Sequence, residues 1–238
     1  MNIVMPMAGK GSRLSDAGYD LPKPLIEING KTIAEWSITT LGLKGNFIFC
    51  CKNEHIEKYD LDKKLSSIVP DCKIVVINED TEGTADTILR ASKFIDNKED
   101  LFISDSDHCM IWNFNEFEKK IKKDNIDACV MTYPDIQTSN AYSYVKLDDK
   151  GFVLEAAEKI PISNIAAAGM HYYKKGSDFV EYAKNMIKKN IRFKNEYYVT
   201  PVYNEFIKKN KIIITFPIEK KWPLGSPEEI ENFVRLYK

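Results

Sequence analysis

The chain has 238 residues, 44% of them hydrophobic and 29% charged, which is the make-up of an ordinary globular protein with enough apolar side chains for a sizeable core. That excludes global disorder, and the length allows one large domain or two small ones at about 100–200 residues each. Lys and Arg total 34 against 35 Asp and Glu, a net charge of −1, which argues against a partner such as duplex nucleic acid or an anionic membrane, whose phosphates demand a basic excess.

In chain order, short apolar runs alternate with helical patterns through the first half. NIVMPM is followed by a helix from Thr32, NFIFCCK by one from Asn53, KIVVINE by one from Thr84, and DLFISDSD by one near Asn113; DACVMTY closes the series. Thr32 and Glu35 form a capping-box pattern at the start of the first of these helices. Strands alternating with helices predict βαβ units and a mostly parallel sheet. After Tyr133 the rhythm changes. YSYVKL, an Asp148-Asp149-Lys150-Gly151 turn and FVLEAAE read as an antiparallel hairpin. AAAGMHYY reads as a strand, followed by helices around Ser177–Lys189 and Tyr198–Lys209, a strand at Ile212–Phe216 and a helix from Ser226. No Gly/Ser/Pro-rich linker separates the halves. The expectation is one α/β domain over 1–238, with a nucleotide-binding half (1–133) and a half (134–238) that supplies the acceptor side of a cleft.

The residues that carry chemistry begin where the first strand runs into Ala8-Gly9-Lys10-Gly11-Ser12-Arg13-Leu14. In an open parallel sheet, ligands bind beyond the carboxyl ends of the strands, and glycines let backbone N–H groups approach phosphate oxygens. The loop is neither G-x-G-x-x-G nor a P-loop. Arg13 is one of four arginines in a chain with 30 lysines. Nine residues after it comes Pro22-Lys23-Pro24, then LIEINGKTI; prolines on both sides stiffen the backbone and suit a fixed positive charge. A first strand, AGKGSRL, a spacer and PKPLIEINGKTI together resemble the signature of the sugar-phosphate nucleotidyltransferases, the nucleotide-sugar pyrophosphorylases.

The resemblance implies a Rossmann-like nucleotidyltransferase fold, that of the nucleotide-diphosphosugar transferases. The implied reaction is that of an NTP with a sugar phosphate to give an NDP-sugar and pyrophosphate. Arg13 matches the residue that holds the leaving phosphates and Lys23 the one that neutralises the α-phosphate, with Ala8, Gly9, Gly11 and Ser12 in the phosphate loop. Glu82, Gly83 and Thr84 match the base-recognition turn. Asp107, with Asp105, matches the metal-binding acid, and two carboxylates at i, i+2 suit Mg²⁺, which prefers hard oxygens. Glu158-Lys159 resembles the motif that grips the acceptor phosphate, although Ile160 stands where Pro often follows. Gly169 matches a glycine that admits the acceptor, and the YYVTPVYNEFI segment places Tyr198 on the acceptor side. Pro201 replaces a second metal-ligating Asp found in some relatives, leaving Asn204 as a candidate. WPLGSPEEIENF resembles the family's closing segment.

The short form resembles small cytidylyltransferases. The implied partners are an NTP, CTP or UTP favoured, and a sugar phosphate or other small phosphomonoester, with bacterial surface-glycan synthesis as the pathway and a homodimer as one candidate assembly. Two rival readings stand beside it. One is a glycosyltransferase using Asp105-Ser106-Asp107 as a D-x-D motif, which pyrophosphate release would discriminate; the other is a non-catalytic nucleotide-binding regulatory subunit.

Other features have plainer readings. Cys50, Cys51, Cys72, Cys109 and Cys129 form no C-x-x-C pair and read as buried thiols in a reducing compartment. The N-terminus lacks a basic n-region and nothing later approaches a membrane span, so a cytoplasmic protein is expected. His55, His108 and His171 lack ligand spacing and read as core or surface histidines. FEKKIKKD and KNMIKKN read as solvated helix faces. Among the tyrosines, Tyr197 or Tyr198 is expected to line an acceptor pocket.

Overall fold

Residues of the first strand, β1 (Asn2–Met7), are apolar on both faces, which suits a strand covered on both sides, and Ile3, Val4 and Met5 are fully buried. The computed structural model describes residues 1–123 and 125–237. Asp124, the last residue of the charged FEKKIKKD run, and the terminal Lys238 lie outside the described residues. After β1 come α1 (Ser12–Ser15), a 3-10 turn at Lys23–Leu25, a small hairpin of β2 (Glu27–Ile28) and β3 (Lys31–Thr32), and α2 (Ile33–Leu41). The first half continues with β4 (Asn46–Lys52), α3 (Asn53–Tyr59), α4 (Leu61–Ile68), β5 (Lys73–Ile77), α5 (Thr84–Leu89) and α6 (Ser92–Ile95). It ends with β6 (Leu101–Ser104), β7 (His108–Ile111) and α7 (Phe114–Lys123). The second half contains β8 (Ala128–Pro134), β9 (Ser143–Leu147), β10 (Val153–Glu158), β11 (Ile165–Tyr173) and α8 (Gly176–Lys188). A 3-10 turn at Thr200–Val202, α9 (Tyr203–Ile207), β12 (Ile213–Pro217), β13 (Lys220–Pro223) and α10 (Pro227–Leu236) follow.

The main sheet runs β10-β9-β11-β6-β1-β4-β5, with β8 pairing β11 and β12. Its first-half strands, β6, β1, β4 and β5, are all parallel. Their carboxyl ends, and the loops that follow β1 and β6, therefore emerge side by side. β11 joins antiparallel to β6, β8 and β9, so one sheet carries both halves. The expected α/β architecture is present, and so is the expected hairpin: β9 pairs antiparallel with β10, and the Asp148 carboxylate accepts the Lys150 and Phe152 N–H groups at 2.9 Å each. Alternate residues of β1 feed opposite cores. Val4 joins Ile48, Ile103 and Val130 on one face, while Ile3 and Met5 join Phe47, Phe49 and Phe102 on the other.

Thr32 Oγ1 accepts the Glu35 N–H at 3.1 Å, capping α2 as the sequence pattern predicts. Two expectations are corrected. The segment expected as one helix over Tyr198–Lys209 is a 3-10 turn at Thr200–Val202 that runs into α9 at Tyr203–Ile207; just ahead of it, the Tyr197 N–H donates to the Glu82 carbonyl at 2.7 Å and the Tyr197 carbonyl accepts the Ala85 N–H at 2.9 Å. A second small sheet, β7 with β13, follows the DLFISDSD run; its four-residue strands are too short for alternation to be read. A third core, with Trp36, Cys109, Trp222 and Phe233, binds this small sheet to α2 and α10, the Trp36 and Phe233 ring centroids lying 5.2 Å apart. Among the described residues no helix is long and apolar enough to cross a membrane. The five cysteines are free thiols, four of them buried.

Candidate active site

The loops that follow β1 and β6 meet because those strands are neighbours. Ser106 Oγ donates to the Pro6 carbonyl at 2.8 Å and ties the loop after β6 to the carboxyl end of β1. Gly11 turns with φ +66°, and a Cβ there would press on Lys23 Cβ at 3.4 Å; the glycine lets the loop after β1 lie against the Pro22-Lys23-Pro24 segment. Lys23 opens a 3-10 turn in which Leu25 N–H donates to the Pro22 carbonyl at 2.8 Å. Its backbone is thus fixed by ring and hydrogen bond together. Its Nζ donates to Asp107 Oδ2 at 2.7 Å, with only 21% and 24% of the two side chains exposed.

Three potential ligand atoms, one each from Asp105, Asp107 and His108, lie within 4.8 Å of one another. Burial and the Asp107 charge raise the Asp105 carboxyl above its ordinary range. Burial also opposes ionisation of Asp107, but the charge and hydrogen bond of Lys23 outweigh it and hold that carboxyl low. His108 is depressed to about 3, first by burial and then by Lys221, and stays neutral; its Nδ1 is buried without a hydrogen-bond partner. Two adjacent carboxylates, one of them hard to ionise without a compensating charge, form a donor set that fits a hard divalent cation such as Mg²⁺. Gly169 makes the arrangement possible. It sits at φ +76° where the β11–β8 register shifts, and any Cβ there would overlap Asp105 Oδ2, while its carbonyl accepts the Asp105 N–H at 2.8 Å.

Across the aspartates lies a cavity of about 300 Å³ whose lining includes Arg13, Thr84, Asp105, Asp107, Glu158, Lys159, Gly169 and Tyr198. It brings together residues from most of the motifs that sequence reading singled out. On its far wall Lys159 adopts φ +54°, and its N–H donates to the Tyr142 carbonyl at 3.0 Å. Lys159 Nζ donates to the Tyr198 hydroxyl at 3.0 Å and sits 4.7 Å from that ring's centroid. The Tyr198 hydroxyl in turn donates to Glu196 Oε2. Glu158 is buried and accepts the Ser143 hydroxyl; burial raises its carboxyl. A wider groove of about 530 Å³ beside edge strand β5 is lined by segment 74–79 with Arg90 and Lys93 and holds none of these groups.

Ala8 and Gly9 lie in the loop between β1 and α1, and Ser12 is the first residue of α1. Gly83, at φ +118°, packs against the Tyr197 backbone. Glu82 is exposed and pairs with Arg192 at 3.7 Å. Asn204 stands apart and leaves the metal-ligand set: its Oδ1 accepts the Ala156 N–H at 3.0 Å and its Nδ2 donates to the Ala156 carbonyl at 2.7 Å. It is a clamp between α9 and β10. Tyr198, not the buried Tyr197, lines the cavity.

Sequence reading missed Lys221, Glu229, Tyr142 and His171, which also line it. Glu229 follows the capping serine of α10 and accepts the Gly225 N–H at 2.9 Å, so a capping pattern at Ser226 and Glu229 was its only signal. His108 is fully buried, as the core reading expects, and one of its ring nitrogens also lies within 4.8 Å of the aspartate oxygens. Lys221 carried no signal beyond composition.

This cleft, at the carboxyl ends of parallel strands, with a glycine loop, cations and an aspartate pair, has a Rossmann-like layout and a charge pattern suited to phosphate-bearing ligands. The sequence matches the family model described as Nucleotidyl transferase over residues 2–222, and the chain belongs to that family. It is 27% identical over 222 residues to the "Bifunctional protein GlmU" of Thermotoga sp. (strain RQ2), covering 90% of this chain and 46% of that one. It is 24% identical over 245 residues to "UTP--glucose-1-phosphate uridylyltransferase AglF" of Haloferax volcanii, covering 96% and 93%. The chain spans about half the length of the GlmU relatives it matches. Among solved structures it is similar to a nucleoside-diphosphate-sugar pyrophosphorylase from Vibrio cholerae RC9, with TM-score 0.83, 23% identity and coverage of 98% and 99%. It is also similar to the inositol-1-phosphate CTP transferase of T. maritima, with TM-score 0.73, 13% identity and coverage of 99% and 96%. Both likenesses bear on the fold.

Proposed function

We propose that the chain is a divalent-metal-dependent nucleotidyltransferase that joins an NTP to a sugar phosphate or another small phosphomonoester and releases pyrophosphate. The observation that carries this reading is one cavity lined by Arg13, Asp105, Asp107 and Lys159, with Lys23 bonded to Asp107 at its edge. One wall suits a triphosphate and the other a phosphate monoester. The acceptor's phosphate is largely dianionic near neutral pH, its second pKa being roughly 6, so its oxygen attacks without a general base. That oxygen forms a bond to the α-phosphorus in line, the bond from the α-phosphorus to the bridging oxygen of the β-phosphate breaks, and pyrophosphate leaves with the electron pair. No proton needs to move.

Positioning and charge compensation therefore supply the rate. Arg13 offers a planar fork to the departing phosphates, Lys23 a point charge to the α-phosphate, and Lys159 a cation to the acceptor. The backbone of Gly9, Gly11 and Ser12 cradles the phosphates, and Glu82, Gly83 and Thr84 face the base. Asp107 and Asp105 would hold Mg²⁺, which when bound neutralises phosphate charge at the reacting centre. Glu158, held by Ser143, is placed to accept a hydroxyl of the acceptor.

A pyrimidine nucleotide, CTP or UTP, is the favoured donor; the relative AglF carries UTP in its name. Nucleotide-linked products of this kind feed surface-glycan synthesis, and an NTP substrate places the reaction in the cytoplasm. The test is pyrophosphate release with Mg²⁺ for CTP, UTP, dTTP, ATP and GTP against a panel of sugar and small-alcohol phosphates. A productive pair identifies donor and acceptor together. Silence across the panel, with thermal stabilisation by a nucleotide sugar, would transfer the assignment to a glycosyltransferase.

A further inference from the structure

The cleft holds one cation that none of the motifs accounts for. Lys221 lies on β13, which pairs antiparallel with β7 so that Lys221 stands opposite Met110 and Pro223 opposite His108. Side chains alternate along a strand. Trp222 is accordingly buried in the third core, while Lys221 and Pro223 face the cavity. The strand cannot rotate this lysine away without pulling Trp222 from its aromatic packing, and the Leu224 N–H, donated to the Asp107 carbonyl at 2.7 Å, ties the next residues to the aspartate loop.

Of the neighbouring lysines, Lys23 is neutralised by Asp107, and Lys159, on the cavity lining, is bonded to the neutral Tyr198 hydroxyl. Lys221 is half-buried, and among the described residues no carboxylate lies within 4 Å of its ammonium. Its charge nevertheless reaches both walls, acting on Asp105, Asp107 and His108 on one side and on His171 of β11 on the other. A cavity-lining lysine with no carboxylate at bonding distance is free to pair with an anion that enters the cavity. The chemistry creates that anion. Four carboxylates, Asp105, Asp107, Glu158 and Glu229, line the same cavity and oppose the approach of an acceptor dianion to a polyanionic nucleotide. A cation on the lining of this cavity would offset that repulsion.

We infer that Lys221 is a catalytic residue that contacts the acceptor's phosphate as it meets the α-phosphate of the nucleotide, lowering the repulsion between them. The inference rests on the nucleotidyltransferase reading above. It is tested with Lys221→Met, Lys221→Gln and Lys221→Arg in the full chain, each first checked for an unchanged thermal midpoint; if the Met variant does not fold, the Gln variant serves in its place. With the productive donor and acceptor, the Met variant is expected to lose at least about 10²-fold in kcat/KM for the acceptor, as when one preorganised charge-stabilising group is removed. The nucleotide's dissociation constant, measured by calorimetry, should change less than about threefold, and Lys221→Arg should recover part of the loss, since it keeps the charge.

Unchanged kcat/KM in the Met variant overturns the inference, as does an equal loss in nucleotide affinity. If the wild-type chain releases no pyrophosphate from any pair, the reaction assigned above falls, and Lys221 is judged by the binding of inorganic phosphate. Binding weakened at least tenfold in the Met variant keeps Lys221 as a phosphate contact; equal binding removes it.

Discussion

The two walls of the cleft hold their lysines in different ways. On the nucleotide wall, Lys23 is locked by flanking prolines and a 3-10 turn and bonded to a carboxylate at 2.7 Å. On the acceptor wall, Lys159 sits at φ +54° with its ammonium against a neutral phenol. The first cation is neutralised in the free protein and the second is not. A lysine paired with Asp107 contributes placement: it shapes the site in advance, and its partner is itself a candidate metal ligand. A lysine against Tyr198 keeps its full charge for an incoming phosphate, and the ring face beneath it adds attraction without neutralising it.

The largest expected effect tests the nucleotide wall. Lys23→Ala leaves Asp107 half-buried without its counter-ion and removes the α-phosphate's point charge, and turnover should fall by at least about 10²-fold, read as initial-rate pyrophosphate release. Arg13→Ala should cost a comparable factor with folding intact, because Arg13 is exposed and contributes little to the core. Near wild-type turnover in either variant would break the assignment of that wall. Gly169→Ala tests the hinge between the walls. Its Cβ would overlap the Asp105 carboxylate in a backbone conformation that L side chains rarely adopt, so Asp105 must move; Mg²⁺ affinity, read by calorimetry, should weaken markedly while nucleotide affinity changes less.

The acceptor wall is sharpened by Lys159→Met. The change removes the charge at similar side-chain length, so it should raise the KM for the acceptor phosphate by about 10–100-fold, the loss of one charged hydrogen bond of about 1.5–3 kcal/mol. The KM for the nucleotide should stay put. Tyr198→Phe isolates the phenol: if the hydroxyl only positions Lys159, its effect should be smaller than that of Lys159→Met, and in the same parameter. A nucleotide KM that rises alongside would erase the distinction between the walls.

The difference between the walls also explains what could be read from the chain. The nucleotide wall is built from local patterns. A glycine turn ends a strand, two prolines bracket Lys23, and two aspartates follow another strand, patterns visible one by one in the sequence, while the resemblance to the sugar-phosphate nucleotidyltransferases is what joined Arg13, Lys23, Asp105 and Asp107 into one expected site. The acceptor wall and its floor are assembled over long separations. Lys221 faces the cavity only because β13 pairs with β7, and Glu229 only because α10 is anchored by Trp36 and Trp222. Four-residue strands leave no periodicity to detect. Asn204 shows the opposite error: a polar residue near the expected position is consumed by the Ala156 backbone, which no spacing rule reveals.

The smallest effect is one of stability, and it again separates a buried element from an exposed one. His171 on β11 is buried, its Nδ1 within 3.1 Å of the Tyr203 hydroxyl, and its pKa is depressed to about 3, by burial first and Lys221 second. In the unfolded chain an ordinary histidine takes up its proton near 6.5. Between those values the unfolded state binds a proton that the folded state refuses, so folding stability is intact above about pH 6.5 and falls as pH drops toward 3, by up to about 1.4 kcal/mol per pH unit for each such group. His108 adds a second term of the same sign. His171→Gln, which keeps a hydrogen-bonding side chain but cannot titrate, should therefore flatten the dependence of urea midpoint on pH between about 6.5 and 4 without changing the slope above pH 7. His55, half-buried and only partly shifted, should change it far less when replaced in the same way. Equal slopes for wild type and His171→Gln would mean that His171 is protonated in the folded protein, and that the β11 side of the cleft is wetter and more open to anions than its packing implies.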